Sequence, residues 1–134
     1  VATFHIVCGS PCAGKSTYVA EHAEPGDVVL DWDEIVTDLG FPPRHHHVDR
    51  SLLGPVSDEW RRRMAAAREA DGAVWVIRSK PRAAVLPLAR SLGADVIELT
   101  APLPVLLQRA AERPHPEEHR RLILSWHGRY RRKR

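Results

Sequence analysis

The sequence predicts an α/β fold, with a central four-stranded parallel sheet flanked by helices. Three observations carry this expectation. Apolar runs suited to short buried strands occur four times, and a segment with helical spacing follows each one. Strand and helix therefore alternate, which places the helices on both faces of a parallel sheet. A glycine-bearing loop, GSPCAGKST, is set directly between the first strand and the first helix.

The elements follow in order along the chain. Thr3 to Cys8 is a short buried strand, and a helix runs from about Ser16 to His22 after the loop. Glu24-Pro25-Gly26 marks a turn. Asp27 to Asp31 is a second buried strand and Asp33 to Leu39 a short helix. Gly40 to Pro55 is irregular, with Pro42, Pro43, three adjacent histidines and Gly54. Ser57 caps a helix that runs to about Ala70 and is closed by Asp71-Gly72. Ala73 to Ile77 is the third strand and Ala94 to Leu99 the fourth. Between them Pro81 to Leu92 is helical, with Pro87 expected to kink or delay it. Pro102 or Pro104 opens a helix through Ala111, and a last helix runs from Glu117 to about Arg129.

The 134 residues suffice for one domain with a real core, read here as residues 1–134. No apolar run approaches the roughly 20 residues of a membrane span, and there is no signal-peptide pattern. Two cysteines, Cys8 and Cys12, are too few for a disulfide framework, so the expected setting is cytoplasmic. The net charge of +3 hides an asymmetry. Val1 to Glu118 holds 13 of the 20 basic residues and all 17 acidic ones, a net of −4. His119 to Arg134 holds the other seven, a net of +7. A basic end on an acidic body suits a phosphate-rich partner, although it also serves simply as a solubilising tail.

The loop carries the most specific signal. Gly9, Ser10, Pro11, Cys12, Ala13, Gly14, Lys15, Ser16 and Thr17 satisfy G-x-x-x-x-G-K-[ST] in the required strand–loop–helix context. The glycines let backbone N–H groups turn inward around phosphate oxygens, and the helix adds its positive end. Lys15 is expected to reach the β- and γ-phosphates and Ser16 to sit on Mg²⁺. This is a P-loop for an NTP. Cys12 reads as a bystander thiol. His45-His46-His47 reads as a polar, substrate-facing loop, because adjacent side chains converge poorly on one ion.

A P-loop does not by itself tell a switch, a motor and a kinase apart. The chain is too short for motor machinery and shows no GTPase base-reading sequence. A regular acid after the third strand is missing, since VWVIRSK presents Arg78 there. Metal then depends on Ser16, the nucleotide and water, with help from Asp31 or Asp33. These two acids stand where the second strand ends, on the edge at which open α/β sheets bind ligands. An Asp there can accept the proton of an attacking hydroxyl, and Asp33 is the preferred base. Either acid can instead serve as a helix cap. Arg109 and Arg113, four apart on one helical face before a Pro-broken loop, suit a closing lid over the moving phosphoryl group, about residues 109–118.

GSPCAGKST, VVLDWDEI and VLLQRAAERP, in this order, resemble the P-loop kinase domain of bacteriophage-type 5′-hydroxyl polynucleotide kinases. The likeness covers almost the whole chain in element order, but only the P-loop is specific as sequence. It implies a P-loop kinase fold with a helical lid, and transfer of the NTP γ-phosphate, from ATP or GTP, to a 5′-OH end of DNA or RNA. It further implies Lys15 and Ser16 as nucleotide and metal residues, Asp33 as general base and Arg113 as the lid arginine. Arg109 follows as a nucleotide-contacting lid residue. The chain departs from the family at Val36, where members often carry an Arg that holds the acceptor phosphate. Arg78, Arg44 and Arg50 are the candidates to replace it. No D-x-D-x-T phosphatase motif is present, so the expectation is a kinase-only protein.

A nucleic-acid acceptor needs a stacking platform as well as phosphate contacts. Trp32 beside the base, and Trp126 and Tyr130 among the terminal arginines, are the candidates; Trp60 and Trp75 read as core or partly buried. A kinase for a small metabolite, nucleoside or antibiotic would use the same Asp33 and Arg113 without need of the basic end. A non-catalytic NTP-dependent nucleic-acid-binding protein would hold nucleotide without consuming it.

Overall fold

A computed structural model of the chain describes residues 1–40 and 50–130, and the side chains of the second stretch from residue 54 onward. Arg44, the side chain of Arg50, His45-His46-His47 and residues 131–134 lie outside the described residues. Four strands, β1 (Thr3–Gly9), β2 (Val28–Asp31), β3 (Ala73–Arg78) and β4 (Asp95–Leu99), form one sheet in the order β2-β3-β1-β4. Every pairing is parallel, with Ile6 opposite Val76 on one side and Val96 on the other. Among the described residues six helices surround it: α1 (Lys15–His22), α2 (Trp32–Asp38), α3 (Arg50–Ala67), α4 (Arg82–Leu92), α5 (Leu103–Ala111) and α6 (Pro116–Tyr130). The α/β architecture of a P-loop kinase is therefore present as the sequence predicts. No helix among the described residues is long and apolar enough to cross a membrane.

The pleat divides the central strands between two cores. Phe4, Ile6 and Cys8 of β1 and Val74 and Val76 of β3 face Met64 and Ala67 of α3 and Val85 and Ala89 of α4. The alternate positions, Val7, Trp75 and Ile77, pack on Val19 of α1. Covered on both faces, β1 and β3 read as unbroken apolar runs. The edge strands do not. β2 is buried only at Leu30 and leaves Val29 39% exposed, so the uniformly buried strand expected there is half-covered. A third cluster joins Cys12 and Ala13 of the loop to Leu106 and Ala110 of α5 and Ile123 of α6.

Three boundaries depart from expectation for local reasons. α2 begins at Trp32, because the Asp31 carboxylate accepts the Asp33 backbone N–H and caps it. α3 begins at Arg50 and runs through Pro55, which leaves Ser57 in its interior and not at its start. Val56, Met64 and Ala67 are buried and Trp60 is packed at their edge, a helical stripe whose burial outweighs the Gly54-Pro55 break. α4 likewise passes through Pro87 without interruption and stops at Gly93, whose φ of 63° closes it.

Candidate active site

The loop's backbone is dictated by its neighbours. A Cβ at position 9 would stand 2.2 Å from the Leu99 carbonyl oxygen of β4, so only glycine lets the two strands close. The Gly9 N–H donates to the Lys80 carbonyl beyond β3 at 3.0 Å, which ties the start of the loop to the next strand's end. Cys12 (φ 65°) and Gly14 (φ 94°) both take left-handed conformations, and for Cys12 this is strain held by its surroundings. The carbonyl of Cys12 accepts the Arg109 guanidinium at 3.0 Å, and the thiol is buried against α5 and α6. Gly14 caps α1 without a side-chain hydrogen bond, so the first-turn N–H groups remain open to an anion.

Lys15 follows at the first position of α1, buried, with Nζ donating 2.6 Å to the Ser10 carbonyl. Burial pushes its pKa down, while Asp33 and Asp31 act to hold it up. Opposite stand the two carboxylates. Asp31 is partly buried and its pKa is pushed up to about 6, first by desolvation and then by repulsion from Asp33. The Asp33 N–H and the Lys15 charge oppose that rise. Asp33 is exposed, one residue into α2, with its carboxylate free of the capping role that Asp31 performs.

These groups share a cavity of about 370 Å³ whose wall includes Lys15, Ser16, Asp31, Asp33, Arg113 and His119. The two ends of the chain thus meet over the sheet's carboxyl edge. Pro11, Cys12, Gly14, Thr17 and Trp32 complete that side of the wall, whereas Gly9, Ser10 and Ala13 shape the loop from behind. Arg109, expected to contact nucleotide, does not line the cavity; its guanidinium braces the loop through Cys12. Trp126, expected as a stacking platform, instead donates its indole N–H to the Ser79 carbonyl at 2.9 Å and packs on Tyr130.

A second, smaller cavity of about 180 Å³ opens beside the first. Asp31, Trp32, Asp33, Ile77 and Ser79 line both, and only Arg78 and Lys80 belong to the smaller one alone. Arg78 leaves the end of β3 and lies over two indoles, 5.0 Å from the Trp32 centroid and 5.3 Å from that of Trp60. Burial lowers its pKa, with Asp33 as the first opposing influence. Ser79, Lys80 and His119 are site residues that reasoning from sequence missed. The run RSK after the third strand was the available signal for the first two, since a parallel strand's carboxyl end is where ligands bind. His119 had none beyond its place after the Pro-broken loop.

The oxygen donors fit a hard cation. The Ser16 side chain is exposed on the cavity wall beside Asp31 and Asp33. Among the described residues no group of three or more His, Cys, Asp or Glu could hold a metal.

No curated protein matches the chain by sequence. In the solved structure of the Pnkp1/Rnl/Hen1 RNA repair complex, one chain superposes with a TM-score of 0.70 at 12% identity. The match covers 96% of this chain and 46% of that one, so this chain spans under half of its neighbour's length. A family model described as AAA domain matches residues 4–132. With its P-loop, parallel sheet and flanking helices inside that match, the chain belongs to the AAA domain family.

Proposed function

We propose that this protein is a polynucleotide 5′-hydroxyl kinase, which transfers the γ-phosphate of an NTP to a 5′-OH end of DNA or RNA. One observation carries the reading: a phosphate cradle and a free carboxylate, Asp33, face one cavity that continues into a second, cation-lined one. A cradle alone serves binding; a positioned carboxylate with a place for an acceptor serves transfer. The fold's likeness to a chain of an RNA repair complex supports a nucleic-acid acceptor, and the basic C-terminal end supports it independently.

In this reading the loop N–H groups and the end of α1 hold the NTP phosphates. Lys15 leaves the Ser10 carbonyl for the γ-phosphate oxygens, where its charge offsets what develops during transfer. Ser16, with Asp31 or Asp33, would hold Mg²⁺, which would supply charge neutralisation to the phosphates during transfer. Asp33 accepts the proton of the attacking 5′-hydroxyl while that oxygen forms its bond to phosphorus and the NDP oxygen leaves. Arg113 comes over the moving phosphoryl group from the α5–α6 loop, the segment that closes as a lid. The setting is cytoplasmic, where NTP and broken nucleic-acid ends are both available.

Incubation with γ-labelled NTPs and a 5′-OH oligonucleotide tests this, with nucleosides as competitors. Label on the 5′ end supports the proposal. Label on nucleosides alone indicates a small-molecule kinase, and tight NTP binding without transfer indicates a nucleotide-dependent binding protein.

A further inference from the structure

Among the described residues only three polar or charged ones are buried: Ser10, Lys15 and His119. The first two belong to the phosphate cradle. His119, 8% exposed, lines the same cavity from α6, and no step of the proposed transfer uses it. A buried imidazole on a cavity wall has an N–H to offer whatever fills the cavity.

The position of His119 is fixed from both sides along the chain. The turn before α6 has four residues, 112–115; Pro114 and Pro116 stiffen it, and His115 takes a left-handed conformation with φ 57°. The His119 N–H donates 3.3 Å to the His115 carbonyl. Farther along the same helical face, Ile123 is fully buried in the cluster with Cys12, Ala13, Leu106 and Ala110. One turn beyond, the Trp126 indole holds the Ser79 carbonyl. His119 therefore cannot turn away from the cavity unless α6 unpacks. Arg113 differs in kind, since it is exposed and lies in the turn itself.

The direction of α6 says which phosphate His119 meets. Its cavity face leads from His119 through Leu122 toward Trp126, whose partner Ser79 lines both cavities together with Asp33. That is the transfer end of the site. The loop N–H groups and the start of α1 enclose the inner phosphates, so a group reaching in from α6 meets the outermost one.

We propose that His119 hydrogen-bonds the γ-phosphate of the bound NTP and makes the cavity prefer a triphosphate to a diphosphate. This role rests on the kinase reading above and deepens it, by naming the side chain that tells fresh donor from spent product. The contact is lost when the γ-phosphoryl group leaves, so the NDP is held less tightly than the NTP that displaces it.

The test is calorimetric titration of the whole chain, with Mg²⁺ present, by adenylyl imidodiphosphate (a triphosphate analogue that does not transfer) and by ADP. Wild type should bind the triphosphate more tightly. His119→Leu should weaken the triphosphate about tenfold to a hundredfold, the range of a hydrogen bond to a charged group, and leave ADP within about twofold. His119→Asn keeps an N–H donor, should retain part of the preference, and stands in if His119→Leu does not fold. Equal affinity for both nucleotides in wild type overturns the proposal. So does equal weakening of both in His119→Leu, which would show that the ring only braces α6 against the loop. In steady-state transfer, His119→Leu should raise KM for NTP and leave product inhibition by NDP unchanged. If no acceptor takes label while the triphosphate preference depends on His119, the kinase reading fails and the γ-phosphate contact stands. If 5′ ends take label and His119→Leu keeps the full preference, the kinase reading stands and the contact is overturned.

Discussion

The indole N–H of Trp126 donates 2.9 Å to the carbonyl of Ser79, a residue on the wall of both cavities. α6 supplies His119 and Leu122 to the larger cavity near its start and, through Trp126, holds the Ser79 carbonyl farther along. Trp126→Phe keeps an aromatic ring and removes the donor. It should lower stability by about 1 kcal/mol, the usual net worth of one such bond. NTP affinity should hold, because the loop is braced through Arg109 and the α5–α6 cluster instead. The acceptor KM should rise. Urea melts and nucleotide titrations, beside transfer kinetics, check the separation.

Lys15→Ala should abolish transfer. Among the described residues it is the only lysine on the larger cavity's wall, and it alone of the cations there extends from the loop–helix junction. Ser16→Ala should weaken the Mg²⁺ dependence and the rate more than the fold, since its side chain is exposed. Near-normal transfer by folded Lys15→Ala, monitored by circular dichroism, would overturn the cradle's proposed role.

Asp33→Asn removes the proposed proton acceptor and should slow single-turnover transfer by about 10²–10⁴-fold with NTP affinity retained. Asp31→Asn should cost less, because an amide oxygen can still accept the Asp33 N–H and cap α2. A larger loss for Asp31→Asn would move the base to Asp31.

Asp31 also makes a pH prediction for the nucleotide-free, metal-free protein. Its pKa is raised to about 6 from a usual value of 3.8, so between these values the folded state binds more protons than the unfolded one. Stability from this group is therefore complete below the lower value and declines as pH rises through about 6. Asp31→Asn removes the buried charge and should raise the melting temperature at pH 8 while changing it little at pH 4. Equal shifts at both values would show that capping, not charge, dominates.

Cutting the chain after Tyr130 removes four basic residues, Arg131 to Arg134, and leaves the Trp126–Tyr130 pair in place. If those charges bind the acceptor strand, the slope of log affinity against log salt should flatten by about 0.7 for each single-strand phosphate they neutralise. Oligonucleotides should bind more weakly and mononucleotides should not. Equal weakening for both would mean that the tail supports the fold.

Much of the candidate site was legible because a P-loop is contiguous backbone, so Gly9 to Thr17 are neighbours in sequence as well as in space. Asp31 and Asp33 were legible for the same reason, lying where an apolar strand ends. The assembly of Trp32, Trp60 and Arg78 was not, since its parts come from α2, α3 and β3, and no periodicity relates them. The start of α3 was hidden by Gly54-Pro55, a break that local propensity overstates when Val56 and Met64 can be buried. Arg109 shows a subtler limit. Its spacing from Arg113 suggested one helical face, but α5 ends at Ala111, so Arg113 stands in the loop on the cavity wall and Arg109 alone reaches the Cys12 carbonyl from the helix.

The strand order has a consequence for how such a protein diversifies. Asp31, Trp32, Asp33, Trp60, Arg78 and Lys80 all fall between Val28 and Lys80, one unbroken stretch of chain. The cradle and the α5–α6 arginines lie before and after it. That stretch supplies β2 and β3 and joins the rest of the sheet along a single seam, the β1–β3 register from Thr3↔Ala73 to Cys8↔Arg78. On the proposed reading, one recombination event bounded by α1 and α4 would exchange the acceptor half as a cassette. A chimera that keeps the Cys8↔Arg78 end of the seam would inherit its donor from one parent and its acceptor from the other.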